Sequence, residues 1–145
     1  MKKSIIATTM VLLATFAINT TNATNPSNVD SAVRSQIEAK YKGAVIIEME
    51  REDGKIKAEI IHDQKEKDVV SNAQGVWQST KFDISKSELP KKIKEVIKAS
   101  KYSSYSIDNV EVIETPTQSM YEIELDKWYN SDEVTIYITF DGKLL

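Results

Sequence analysis

From Val29 onward the apolar positions follow two rhythms in turn. Val29, Ala32, Val33, Ile37 and Tyr41 recur at helical spacing and predict a helix with one apolar stripe. Asn28 or Asp30 can cap its start, and Gly43 ends it. The period then shortens to two. Val45, Ile47 and Met49 are interleaved with Glu48 and Glu50. Asp53-Gly54 marks a tight hairpin turn, and Ile56, Ala58 and Ile60 alternate with Lys57 and Glu59 beyond it. The charged stretch from Asp63 to Lys67 reads as the next turn. Residues 68–72 form a short strand, and Gly75 turns the chain into a fourth strand over 76–84.

The same order then recurs. Ser87 is a candidate N-cap, with Pro90 in the first helical turn. Leu89, Ile93, Val96 and Ile97 make the apolar stripe, with Lys91, Lys92, Lys94 and Lys98 largely off it. Val110 and Val112 flank Glu111. Thr115-Pro116-Thr117 is a turn. Tyr121, Ile123 and Leu125 alternate with Glu122, Glu124 and Asp126, and Val134, Ile136, Ile138 and Phe140 with Thr135, Tyr137 and Thr139. Asp141-Gly142 then turns into Lys143-Leu144-Leu145. Residues 29–84 and 85–145 therefore read as two repeats, with Ala39-Lys40-Tyr41 answering Ser100-Lys101-Tyr102. Alternating strands imply an antiparallel sheet with one apolar face, and the helical stripes need that face for burial. The expected fold is α+β: a tandem repeat of a helix plus three to four antiparallel strands. Together the repeats form one sheet of about seven or eight strands with both helices on one face.

The residues before this domain change where it acts. Met1-Lys2-Lys3 is a positive start, and the apolar run from Ile5 to Ile18 is 14 residues long, short of a membrane span. Thr21 and Ala23 are small at the positions a signal peptidase reads, so residues 1–23 are expected to be a signal peptide removed near Ala23. Residues 24–28 read as a disordered leader, and 29–145 as a single domain in a periplasmic or secreted bacterial protein. Two of the 19 basic residues leave with the signal. Seventeen Lys and Arg then face 22 Asp and Glu, a net charge of −5. That balance argues against nucleic acid, and against an anionic membrane once the signal is gone. With no Cys, an exported chain of this kind relies on packing rather than disulfides.

The Ser87-Glu88-Leu89-Pro90 entry to a Lys-rich helix resembles the PepSY-like, β-lactamase-inhibitor-protein-like family of exported bacterial domains. So do the Val110-Glu111-Val112-Ile113-Glu114-Thr115 strand, the Tyr121-Glu122-Ile123-Glu124-Leu125 strand and the closing Phe140-Asp141-Gly142-Lys143-Leu144-Leu145. Residues 85–145 carry the resemblance well, and residues 29–84 in outline. It implies two helix-plus-sheet units sharing one sheet. It also implies a non-enzymatic role: binding and restraining a hydrolase of the peptidase or β-lactamase type.

Candidate chemistry is sparse. One histidine, His62, and no cysteine leave no thiol nucleophile and no multi-histidine zinc site, and four glycines make no phosphate loop. No cofactor is expected. Glu122 and Glu124, two apart on one strand, share a face and could form an acid–base pair in a deep pocket. The interleaved lysines favour a solvated surface instead. The aromatics point to binding, because Trp and Tyr exposed on a polar sheet are common interface anchors. The candidate partner-binding residues are Trp128, Tyr129, Tyr137, Glu122, Glu124, Glu59 and Trp77. An alternative for Trp77 and Trp128 is that they cover the sheet edge or the helix ends. The expected function is an exported module that binds an envelope or exported protein through its open sheet face. A small-molecule or glycan/peptide sensor is the alternative, and a carboxylate hydrolase a third reading.

Overall fold

The computed structural model describes residues 26–127 and 130–145. Their order is α1 (Pro26–Lys40), β1 (Val45–Glu52), β2 (Lys55–His62), β3 (Lys65–Asn72), β4 (Trp77–Asp83), α2 (Lys91–Lys98), β5 (Ser106–Glu114), β6 (Ser119–Lys127) and β7 (Asn130–Thr139). The strands form one seven-stranded antiparallel meander in chain order, each pairing with the next. This is the expected α+β architecture of two helices on a single antiparallel sheet.

Alternation places the core. Ile56, Ala58 and Ile60 on β2 and Val69 on β3 are buried beneath Val29, Val33, Ile37 and Tyr41 of α1 and its end. Val110 and Val112 on β5, Tyr121, Ile123 and Leu125 on β6, and Ile136 and Ile138 on β7 are buried with Leu89, Ile93 and Ile97. The two cores lie side by side on one face of the sheet. Each fully buried Ile or Leu contributes about 1.5–3 kcal/mol of transfer free energy. Neither described helix covers the opposite face.

The turns explain where the elements differ from expectation. Asp53 (φ 49°) and Gly54 (φ 71°) form the anticipated tight hairpin. Asp63 (φ 52°) and Gln64 (φ 63°) repeat that geometry without a glycine. The turn is therefore two residues long, and β3 starts at Lys65 rather than Asp68. Lys67 is thereby pulled into the strand and onto the buried face, where it is 8% exposed. Ser87 does not cap α2. Pro90 (ψ 144°) is the residue before the first turn, without a side-chain cap. The Glu88 carboxylate instead accepts hydrogen bonds from the Ser85 N–H (2.8 Å) and hydroxyl (2.9 Å). Helix α1 begins at Pro26, so it takes in residues 26–28, which the pattern had assigned to a leader, and neither Asn28 nor Asp30 is its cap. Asp30 pairs with Arg51 of β1 at 2.5 Å. At the other end Leu144 bridges to Ile138, and the Leu145 N–H donates to the Tyr137 carbonyl, covering part of the β7 edge.

Between the two cores a polar seam crosses the helix-bearing face. The Tyr41 hydroxyl donates to Glu114 at 2.6 Å, and the Lys40 ammonium lies 3.1 Å from the same carboxylate. Lys67 sits over the rings of Phe82 (3.5 Å) and Tyr41 (5.4 Å). Burial lowers the Lys67 pKa, with Glu114 opposing that shift. No helix of the described residues is long and apolar enough to cross a membrane.

Candidate functional site

The face opposite the two helices is built from the other half of each alternating strand, mostly polar but with Val45, Ile61, Val70, Ile113 and Met120 among it. Cross-strand register sets its pattern. Glu48, Glu59 and Asp68 stand next to one another on β1, β2 and β3, and Lys81 follows on β4. A parallel row brings Asp83, Glu111, Glu122 and Tyr137 together from β4, β5, β6 and β7. Like charges set directly opposite repel, so Glu111 beside Glu122 needs compensation. Lys81 supplies it. Its ammonium is 2.6 Å from Glu111 and 3.3 Å from Glu122. Burial works against the Lys81 charge, but the two carboxylates outweigh it and raise the lysine pKa.

Tyr137 stands beside Glu122 in this cluster. Tyr137 as a residue is 38% exposed, whereas the Glu122 side chain is 15% exposed. Burial and then the neighbouring Glu122 carboxylate hold the phenol above its ordinary value, so it stays a neutral donor at physiological pH. Four strands thus converge on a fixed Lys–Glu–Glu–Tyr group in the half of the sheet formed by β4 to β7. Lys57, paired with Asp68 at 3.1 Å, is the matching cation on the β1–β3 side.

The sequence-predicted residues fall in different places. Tyr137, Glu122, Glu124 and Glu59 share this face, with Glu124 between Asn109 and Thr135 and Glu59 among carboxylates on β1 and β3. Trp128 and Tyr129 lie outside the described residues. Trp77 is on the helix-bearing side. Its ring nitrogen donates to Thr80 at 3.0 Å, Lys40 lies 4.2 Å over the ring, and its backbone N–H donates to Gln36 of α1 at 2.9 Å. There it lines a groove of about 290 Å³ with Val33, Ile37 and Val69. Lys81 and Glu111 were missed by reading the sequence. The signal for Lys81 was the alternation of Ser79, Lys81 and Asp83 with Thr80 and Phe82, and for Glu111 its place between Val110 and Val112.

The arrangement suits binding more readily than acid–base chemistry. Glu122 is tied to Lys81, while Glu124 lines a polar groove of about 390 Å³ with Asp126 and Glu133. The two carboxylates therefore meet different neighbours. His62 is half-buried, with its ring 5.4 Å from Tyr41 and its Nδ1 3.3 Å from Asp63. Among the described residues no group of three or more His, Cys, Asp or Glu is placed to hold a metal ion.

Residues 59–145 match the family described as "Putative beta-lactamase-inhibitor-like, PepSY-like". Solved structures share the fold. A BLIP-like protein from Bacteroides fragilis is 22% identical, with a TM-score of 0.70 over 79% of this chain and 82% of that one. A DUF2874 family protein from Bacteroides ovatus is 25% identical, with a TM-score of 0.67 over 86% of each chain. A third, from Bacteroides eggerthii, is described as "putative periplasmic proteins"; it is 20% identical, with a TM-score of 0.66 over 79% of this chain and 84% of its own. Comparison with curated proteins finds no match.

Proposed function

The chain belongs to this β-lactamase-inhibitor-like, PepSY-like family, and on that premise we propose that it is a non-enzymatic, exported binding module whose open sheet face grips a protein partner with a basic surface. The observation that carries this reading is the Lys81–Glu111–Glu122–Tyr137 group, joined by ion pairs and strand register on a sheet face that neither described helix covers. Carboxylate rows on β1 to β3 and β5 to β7 are answered on that face, among the described residues, by Lys55, Lys57 and Lys81. A field of one sign steers an oppositely charged protein to the surface and aligns it. Tyr137 then supplies an amphipathic anchor that loses little entropy on docking. Glu124 and Glu59 form the charged rim. Trp128 and Tyr129 remain in the proposal on the strength of the sequence, and Trp77 leaves this face.

Export rests on the signal-like residues 1–23, and one similar structure carries the description "putative periplasmic proteins". The partner implied is an exported hydrolase of the peptidase or β-lactamase type, and the outcome of binding is its restraint. The test is affinity capture from the envelope fraction at low and high salt, followed by titration of the captured protein. Tyr137→Ala should weaken binding at least about 10-fold, and Glu122→Gln with Glu124→Gln should flatten its salt dependence. If all three substitutions leave the affinity unchanged, this face is not the binding surface.

A further inference from the structure

A second concavity lies on the other side of the molecule, along the flank of α2. It is a groove of about 420 Å³, within the range of small-molecule sites, between α2 and the segment that leads into β5. Ile97, Ile107 and Tyr105 form an apolar floor, and Lys86, Lys94 and Lys98 stand around it. The floor is fixed. Ile97 is 4% exposed, and Tyr105 is held edge-on to Tyr102 at 5.8 Å, with the Lys127 ammonium 4.4 Å over its ring.

Among the described residues, the three lysines differ from their neighbours in their pairing. Lys91, on the same helix, pairs with Glu95, and Lys92 reaches the Asp141 carbonyl. Lys65, beyond the loop, pairs with Glu88 at 2.8 Å. Lys86, Lys94 and Lys98 make no ion pair or hydrogen bond with any described residue. Concentrating unpaired cations around an apolar floor costs self-repulsion, which an anion would relieve. The floor selects an anion that also has an apolar body.

We propose that this groove binds a single amphiphilic anion, an acyl or alkyl chain ending in a phosphate or carboxylate. The chain lies on Ile97, Ile107 and Tyr105, and the head group lies among Lys86, Lys94 and Lys98. The site is separate from the acidic sheet face and does not depend on the partner proposed for it.

The experiment is titration of the intact protein with octyl phosphate below its micellar concentration, followed by backbone amide chemical shifts and calorimetry. Octyl glucoside is the neutral control. Saturable binding is expected, with shifts confined to α2, the segment around Lys86 and residues 103–107. Each Lys→Gln substitution should weaken it about 2- to 5-fold, and the triple variant at least about 10-fold. The exposed amines can be replaced without disturbing the core, so circular dichroism should be unchanged. Equal affinity for octyl glucoside, an unaffected triple variant, or shifts centred on Trp77 or Tyr137 would each overturn the proposal. So would binding to phosphatidylglycerol vesicles without binding to monomeric octyl phosphate, which would make the groove's flank a membrane surface instead.

Discussion

Replacing Glu114 by Gln tests what holds the two halves of the domain in one frame. Glu114 ends β5 and faces the helices opposite Thr80. Its carboxylate accepts from Tyr41, the residue that follows α1, at 2.6 Å, and pairs with Lys40 at 3.1 Å. One side chain of the second half therefore fastens the end of the first helix. A hydrogen bond to a charged acceptor is worth about 1.5–3 kcal/mol, against about 0.5–1.5 for a neutral one. The Lys40 pair, with side chains 36% and 24% exposed, adds at most about 1 kcal/mol after solvent screening. Glutamine keeps the shape and one neutral bond, so Glu114→Gln should cost about 1–2.5 kcal/mol at pH 7. Urea unfolding followed by tryptophan fluorescence should show a lower midpoint with an unchanged slope.

Acid then provides a sharper check. Burial pushes the Glu114 carboxyl up, but Tyr41, Lys40 and Lys67 outweigh it and hold the group below its ordinary value. A depressed carboxylate contributes stability that is full above the unfolded pKa, about 4.3, and is lost as pH falls through the folded value. The gap between native protein and Glu114→Gln should therefore be full at pH 7 and close in acid. A difference under about 0.5 kcal/mol at pH 7, or one that persists undiminished to pH 2, would refute the reasoning.

Three other outcomes follow from the same structure. Ile123→Ala empties a fully buried site at the centre of the second core and should cost about 2–5 kcal/mol in urea unfolding, which a change below 1 would contradict. Gly75→Ala should lose at least about 1 kcal/mol, because Gly75 has φ +82° and a Cβ there would lie 3.3 Å from the Val29 carbonyl oxygen and Cγ1; a thermal melt showing no loss would count against that packing. Burial and then Glu114 raise the Tyr41 phenol well above its usual value, so its contribution to stability is complete below about pH 10 and is lost as pH rises toward the folded value. An ultraviolet difference titration of native protein against Tyr41→Phe should show no Tyr41 ionisation near pH 10 while the fold persists.

Much of the fold was legible because burial leaves a local mark. The stripe of Val29, Val33, Ile37 and Tyr41 and the alternation of Tyr121, Ile123 and Leu125 each record one face of one element, and all seven are buried where the pattern placed them. The Asp53-Gly54 turn was equally plain. The Asp63-Gln64 turn was not. Neither residue is glycine, and the lysines and glutamate beside it look like loop, so Lys67 could not be placed in a buried row until the hairpin register was known. Trp77 follows the same logic, since a register shift between Val70 and Ser71 opposite the start of β4 helps set the side on which its ring emerges.

The candidate site divides along the same line. Alternation alone put Glu122, Glu124, Glu59 and Tyr137 on one polar face. That Lys81 and Glu111 join Glu122 and Tyr137, that Glu114 meets Tyr41 across 73 positions, and that Lys86 shares a groove with Lys98 were settled only by tertiary structure. The physical reason is range. The preference of a residue for the inside or outside of its own strand is read over two or three neighbours, whereas the partner of a charge is chosen by strand register and helix placement, which depend on the packing of the whole sheet.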